Sequence, residues 1–228
     1  MPVFALIDAP VFPRPDLAEP SGLLAVGGDL RQERLLAAYR QGIFPWYDDE
    51  SPILWWSPDP RPIVELPDGL QVTRRLERTI RSGRFRVSLD TDFPGVIRGC
   101  AGVRRETGDG TWLVPDMIAA YEALHAAGHA HSAEAWLDGE LVGGAYGVAV
   151  GRAFFGESMF HRVTDASKVA FVVLARFLER QEFQFIDCQQ ATGHLRRFGA
   201  VEISRSAFMR RLRAARECPD LPGPWRLD

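Results

Sequence analysis

Through Arg31-Gln-Glu-Arg-Leu-Leu-Ala-Ala-Tyr-Arg40 the pattern reads as a helix, with Asp29 placed to cap its start and Gly42 to stop it. Val72 to Ser82 reads as a short helix, Phe85 to Leu89 as a strand, Phe93 to Cys100 as a second helix and Val114 to Ala127 as a longer one. Ala133 to Leu137 and Leu141 to Val150 alternate, and Asp138-Gly139 between them is a strong hairpin signal. Ala153 to Phe160 continues that sheet. Ala166 to Arg180 is apolar nearly all round, the pattern of a buried helix, and Gln184 to Gln189 returns as a strand. A basic helix, Arg205 to Arg216, closes the chain. The first 62 residues differ, because Pro13-Arg14-Pro15, Gly27-Gly28-Asp29 and Pro58-Asp59-Pro60 break them into turns. A small, loop-rich α/β N-terminal domain (residues 1–62) ahead of a larger domain (63–228) is therefore expected. The order of hairpin, strand, buried helix and strand predicts an α+β fold with a mixed sheet.

Composition narrows the class. With 46% hydrophobic and 25% charged residues the chain has the make-up of a folded globular protein, which excludes wholesale disorder, collagen-like repeats and coiled-coil arrays. A net charge of -3 excludes an overall polycation but hides local patches. Arg74, Arg75, Arg78, Arg81, Arg84 and Arg86 share a stretch whose only acid is Glu77, and Arg205, Arg210, Arg211, Arg213 and Arg216 form a second cluster. Forked guanidinium groups suit phosphates, although a solvated helix face produces the same pattern. Three cysteines without a CxxC pair fit neither a disulfide framework nor a zinc knuckle, and point to a reducing cytoplasm. There is no basic, apolar leader and no run of ~18 apolar residues, so neither secretion nor membrane spanning is expected.

Candidate chemistry lies where polar groups interrupt apolar strands. In Phe183-Gln-Phe-Ile-Asp-Cys-Gln189, a period of two puts Asp187 and Gln189 on one face and Ile186 and Cys188 on the other. Buried polar groups need partners, so the pair marks either an internal network or a ligand site. Glu157, set among Phe154, Phe155, Met159 and Phe160, is either a second site residue or a strand-end carboxylate paired to an arginine. His125 and His129 share a helix face, but the intervening residues include no Glu and Gly128 ends the helix, so they read as histidines near a helix C-terminus and no metal set is expected. There is no G-x-S-x-G elbow, P-loop or G-x-G-x-x-G. Aromatics in turn-rich segments, Phe44-Pro45-Trp46-Tyr47, Trp55-Trp56 and Thr111-Trp112, can stack on bases or simply fill the core.

Taken together, Gly22-Leu-Leu-Ala-Val-Gly-Gly-Asp-Leu30, Gly42-Ile-Phe-Pro-Trp46, Ile53-Leu-Trp-Trp-Ser-Pro-Asp-Pro-Arg61, Gly128-His-Ala-His-Ser132, Leu141-Val-Gly-Gly144, Phe155-Gly-Glu-Ser-Met-Phe160, Ala166-Ser-Lys168 and Ile186-Asp-Cys-Gln189 resemble the leucyl/phenylalanyl-tRNA–protein transferases. The resemblance implies an acetyltransferase-like (GNAT-like) catalytic domain, no cofactor, and transfer of Leu or Phe from aminoacyl-tRNA to the N-terminal Arg or Lys of a protein, which creates an N-end rule degradation signal. It implies a cytoplasmic enzyme without membrane partners, and a monomer is expected. By position, Asp187 and Gln189 are implied as the catalytic pair and Glu157 as a third polar site residue. Trp46 and Trp112 are implied to hold the tRNA's terminal adenosine. Ala145, Phe154, Met159, Leu174 and Ile186 are implied to line the amino-acid pocket. Ala145 is small where the family often has a larger residue, which leaves the Leu-versus-Phe preference open.

The chemistry fits these residues. The ester is already activated and an α-amine has a pKa of about 7.7 to 8.0, so orienting the amine and accepting its proton are the remaining tasks. Asp187 is read as positioning Gln189, with Gln189 or Asp187 receiving the proton. If residues 72–82 are helical, Arg74, Arg78 and Arg81 share a face with Arg75 flanking it, a stripe able to follow an acceptor stem together with Arg84 and Arg86. A CoA-dependent acetyltransferase would need a glycine-rich pyrophosphate loop, which His161 to Ser167 does not supply. A noncatalytic RNA-binding module would leave Asp187 and Gln189 unexplained.

Overall fold

The computed structural model describes residues 3–106 and 113–227, with no side-chain description for 103–106. The chain opens with β1 (Phe4–Leu6), β2 (Leu23–Gly27), α1 (Gln32–Tyr39), β3 (Phe44–Pro45) and β4 (Leu54–Trp56), whose strands form one four-stranded sheet in the order β1-β2-β4-β3. β5 (Arg61–Glu65), α2 (Arg74–Arg81), β6 (Arg86–Leu89), α3 (Phe93–Glu106) and α4 (Pro115–Ala126) follow. Then come β7 (Ala130–Leu137), β8 (Glu140–Val150), β9 (Ala153–His161), α5 (Ala166–Arg180), β10 (Phe185–Asp187), α6 (Gly193–Arg196), β11 (Val201–Ile203) and α7 (Arg205–Glu217).

Strands β5 to β11 build a seven-stranded mixed sheet in the order β11-β5-β10-β9-β8-β7-β6, so the expected α+β class with a mixed sheet holds. β6 through β9 are antiparallel neighbours. Asp138 and Gly139 close the β7–β8 hairpin with φ of 53° and 85°, the paired positive values that a type I′ turn requires. α5 then crosses over and returns the chain as β10, parallel to β9 and antiparallel to β5.

The sheet is covered on both faces. Phe155, Phe160 and Val148 pack with Phe93 and Val96 of α3, Tyr121 of α4 and Leu24 and Trp55 of the small sheet. On the opposite face Phe154 and Ile186 meet Phe171, Leu174 and Leu178 of α5. That helix also touches α2, which is why it is apolar nearly all round. No helix among the described residues is long and apolar enough to cross a membrane.

Several expectations need correction. Asp29 does not cap α1: the N-cap is Arg31, and the Asp29 carboxylate accepts from the Arg31 amide (2.9 Å) and from the buried Arg34 guanidinium (3.1 Å). α3 runs on past Cys100 to Glu106. The strand expected over 184–189 ends at Asp187, because Gln189 adopts a left-handed φ of 58°. The period-of-two argument for Asp187 and Gln189 therefore fails, and a turn brings them together instead. Strands β1 to β5 and β11 contain two to five residues each, too few for alternation to reveal.

Candidate active site

The site opens where two parallel strands separate. β10 pairs with β9 only as far as Asp187 opposite Phe155, after which β9 runs on to His161 while β10 turns away. The β8–β9 register pairs Tyr146 with Ser158 and Gly147 with Gly156, leaving Glu157 as the extra residue of a β-bulge. The bulge inverts the alternation of β9: Phe155 and Phe160, separated by an odd count, pack against the same core. Glu157, two residues on from Phe155, keeps its carboxylate on that side of the strand, against Tyr39 and Tyr121, and the inversion shows in the residues that follow it.

There the Tyr39 hydroxyl donates to Glu157 Oε1 (2.7 Å), the Tyr121 hydroxyl donates to Oε2 (3.0 Å) and Gln189 Nε2 donates to Oε1 (2.6 Å). Tyr39 and Tyr121 also touch each other through their hydroxyls. Two phenolic protons cannot fill three O···O contacts; when Glu157 is protonated, its Oε2–H donates to the Tyr121 oxygen and the Tyr121 hydroxyl turns to donate to Tyr39, so all three are filled. Burial drives the Glu157 carboxyl up to about 7; the bonds from Tyr39, Tyr121 and Gln189 pull it back and the Asp187 charge adds to the rise. Burial also raises both tyrosines well above their ordinary range, so they remain donors at neutral pH.

Asp187 is fully buried and bound bidentately by Arg61, Nε to Oδ1 at 2.8 Å and Nη2 to Oδ2 at 2.6 Å. The guanidinium is itself buried and lies over the rings of Phe44 and Phe208. Asp187 Oδ1 also accepts the Gln189 amide N–H (2.9 Å), which fixes the turn that aims the Gln189 side chain at Glu157. Gln189 Oε1 makes no hydrogen bond among the described residues, leaving an acceptor beside the carboxylate. Burial pushes the Cys188 thiol up, away from a nucleophilic thiolate.

Above this floor is a pocket of about 230 Å³. Ala145, Phe154, Met159, Leu174 and Ile186 all line it, as do Glu157, Asp187 and Gln189. Trp46 stands at its edge, 41% exposed and edge-on to Trp56 at 5.7 Å. Trp112 lies outside the described residues. Arg74, Arg75, Arg78 and Arg81 lie on α2, Arg84 in the loop after it and Arg86 at the start of β6, all of them exposed. Arg81 is committed to Glu77 at 3.0 Å, and Arg86 lies over the Trp136 ring.

The histidines have other partners. His125 stacks on Phe93 and bonds the Ala130 carbonyl, while buried His131 bonds Asp90 and stacks on Trp225. No group of three His, Cys, Asp or Glu side chains able to hold a metal occurs among the described residues.

Sequence reasoning missed Arg61, Tyr39 and Tyr121, and Phe171, which also lines the pocket. The first had a signal, a lone arginine in the apolar run Arg-Pro-Ile-Val that needs an acidic partner once buried. A tyrosine among the apolar positions of a helix carries none.

Comparison with known proteins adds a chemical identity to this geometry. Residues 64–213 match the family model described as leucyl/phenylalanyl-tRNA protein transferase, and residues 28–59 match the one described as its N-terminal domain. A leucyl/phenylalanyl-tRNA–protein transferase of Solidesulfovibrio magneticus is 75% identical over 99% of this chain and 91% of its own. Proteins of the same description from Desulfatibacillum aliphaticivorans and Nitratidesulfovibrio vulgaris are 56% identical over 100% of this chain and 97% of theirs, and 59% identical over 96% and 94%.

Proposed function

Because the chain belongs to the leucyl/phenylalanyl-tRNA–protein transferase family, we propose that its pocket is where an aminoacyl ester meets a protein's N-terminal amine, and that Glu157 takes the proton of that amine. The enzyme is an aminoacyltransferase that moves Leu or Phe from aminoacyl-tRNA to the N-terminal Arg or Lys of a protein, in the manner of the N-end rule. The observation that carries the mechanistic reading is the Tyr39–Tyr121–Glu157 triangle, which has room for one proton beyond the two phenolic ones and sits one hydrogen bond from Gln189.

In the reaction, the Leu or Phe side chain enters the apolar end formed by Phe154, Met159, Leu174 and Ile186, with Ala145 leaving room at its wall. Trp46, and Trp112 with it, holds the adenosine by stacking. The incoming amine donates one N–H to Gln189 Oε1 while its lone pair attacks the ester carbonyl. The C–N bond forms, the amine proton passes to the Glu157 carboxylate, and the C–O bond to the ribose breaks. The proton then returns to the departing ribose oxygen, so none is gained or lost overall. A base poised near neutrality matches an α-amine of pKa about 7.7 to 8.0. Asp187 touches no reacting atom in this scheme; it is a positioning residue that, clamped by Arg61, holds the Gln189 turn.

The same reading keeps a division near residue 62 and an acetyltransferase-like catalytic domain, supported by the antiparallel β6–β9 run followed by the α5 crossover to parallel β10. It places the enzyme in the cytoplasm as a monomer, with Arg74, Arg75, Arg78, Arg84 and Arg86 meeting the acceptor stem and Arg81 contributing once freed from Glu77.

The test is incubation with labelled Leu-tRNA or Phe-tRNA and peptides beginning with Arg, Lys or Ala. Label should move to the Arg and Lys peptides without any added cofactor. Labelling that requires CoA, or ignores the first residue, contradicts the reading.

A further inference from the structure

Beside the pocket lies a second cavity of about 350 Å³, and His194 lines both. Its walls come from three places in the chain: Thr73 and Arg75 at the start of α2, Thr164 and Lys168 around the start of α5, and Arg197 after α6. Asp165 is the one acid lining it, bonded to Lys168 Nζ at 2.7 Å, which leaves two of the three ammonium protons free. Neither Arg75 nor Arg197 has a carboxylate partner within ion-pair distance among the described residues. The charges crowd one another: burial first, then Lys168 and Arg197, hold His194 below its usual range. α5 also begins at this wall without a side-chain cap, adding the positive end of a helix. Two unshared guanidinium groups and an ammonium with protons to spare surround one cavity, together with hydroxyls from Thr73 and Thr164. That set describes a receptor for a tetrahedral oxyanion rather than a solvated helix face.

We propose that this cavity binds a phosphodiester of the tRNA 3′ strand, with Lys168 and Arg197 as its principal partners and Arg75 contributing from α2. The inference rests on the reading that the neighbouring pocket takes the aminoacyl adenosine. The two cavities share His194 in their walls, so a nucleotide chain leaving the first at His194 comes to the second next. The phosphodiester would then be gripped through its charge, with the bases unread, and the amino-acid pocket would remain the place where substrates are told apart.

Two hydrolysis-resistant ligands test this: a phenylalanyl-adenosine amide without phosphate, and a dinucleotide amide with the same 3′ end. The wild type should bind the dinucleotide roughly ten- to a hundredfold more tightly, the range for charge-assisted hydrogen bonds. Lys168→Ala and Arg197→Ala should each remove much of that advantage and lower the salt-dependence slope by about 0.7, while leaving the nucleoside's affinity in place. Lys168→Arg should keep the advantage. Lys168 is the only lysine in the chain, so amine acetylation reads occupancy there directly. The dinucleotide should protect Lys168 and the nucleoside should not. Inorganic phosphate should protect it too and compete with the dinucleotide alone.

An advantage unchanged in both alanine variants, or equal protection by both ligands, overturns the inference. So does phosphate that protects Lys168 yet leaves dinucleotide binding untouched, which would assign the cavity to a free anion. Nucleoside binding with no dinucleotide advantage in the wild type sinks this proposal only. Failure of the wild type to bind either ligand, together with no transfer to Arg peptides, sinks the function itself.

Discussion

Replacing Glu157 by Gln keeps the shape of the side chain and removes its ionisation. Burial moves this carboxyl from 4.5 to about 7, so the folded chain holds the proton more tightly than the unfolded one. Between those two values the native state binds more protons, and stability falls as pH rises. Below 4.5 both states are protonated and nothing is lost. Above 7 the whole cost of ionising a buried group is present, about 3 kcal/mol at ~1.4 kcal/mol per pH unit. The amide of the Glu157→Gln variant never ionises. The variant should therefore exceed the wild type by only about 1 kcal/mol at pH 5 and by up to about 3 kcal/mol at pH 8, where the Tm difference is roughly 6 to 12 °C for a chain of this size. Urea or thermal denaturation of both proteins at the two pH values measures it. An offset that is the same at pH 5 and pH 8 would refute the reasoning, because it would mean that Glu157 does not change its charge between them.

Asp187→Ala leaves the Arg61 guanidinium buried without its partner and should cost about 3 to 5 kcal/mol by denaturation; Asp187→Asn should cost less, and in it single-turnover transfer should fall further than tRNA affinity. Trp46→Ala should weaken an aminoacyl-adenosine analogue by roughly ten- to a hundredfold and Trp46→Phe by less; unchanged affinity in the alanine variant would make Trp46 a structural residue. Ala145→Leu fills the pocket wall, and since overpacking costs about 1 to 3 kcal/mol, the ratio of Phe to Leu transfer should drop roughly five- to a hundredfold.

Long elements with strong periodicity were legible in the sequence. The α5 helix was found at its true bounds and the β7–β8 hairpin at its true turn, because an all-round apolar helix and an Asp-Gly pair have few alternative readings. The five proposed pocket residues lie on strands and on α5, and the resemblance alone singled them out. The β9 bulge was not legible, since nothing in Phe-Phe-Gly-Glu-Ser-Met-Phe states that the register slips at Glu157; it depends on which partner each backbone group finds on β8. Gln189 was found for a reason that proved wrong, since a left-handed turn, not strand alternation, places it. The Arg61–Asp187 pair joins residues 126 positions apart, and the Tyr39–Glu157 bond 118 apart, separations that no local pattern reports.

The claim that Glu157 receives the amine proton is tested most directly by single-turnover transfer from Phe-tRNA to an Arg-peptide, followed from about pH 5.5 to about pH 9 in the wild type and in Glu157→Gln. The wild-type rate should climb through about pH 7 as the carboxyl ionises, continue to rise as the amine loses its proton, and then level off. The Gln variant should be slower by roughly 10² to 10⁴-fold, the range for a positioned base, and should retain only the amine's contribution to the profile. A Gln variant with the wild-type rate, or a wild-type profile lacking the step near 7, contradicts the assignment.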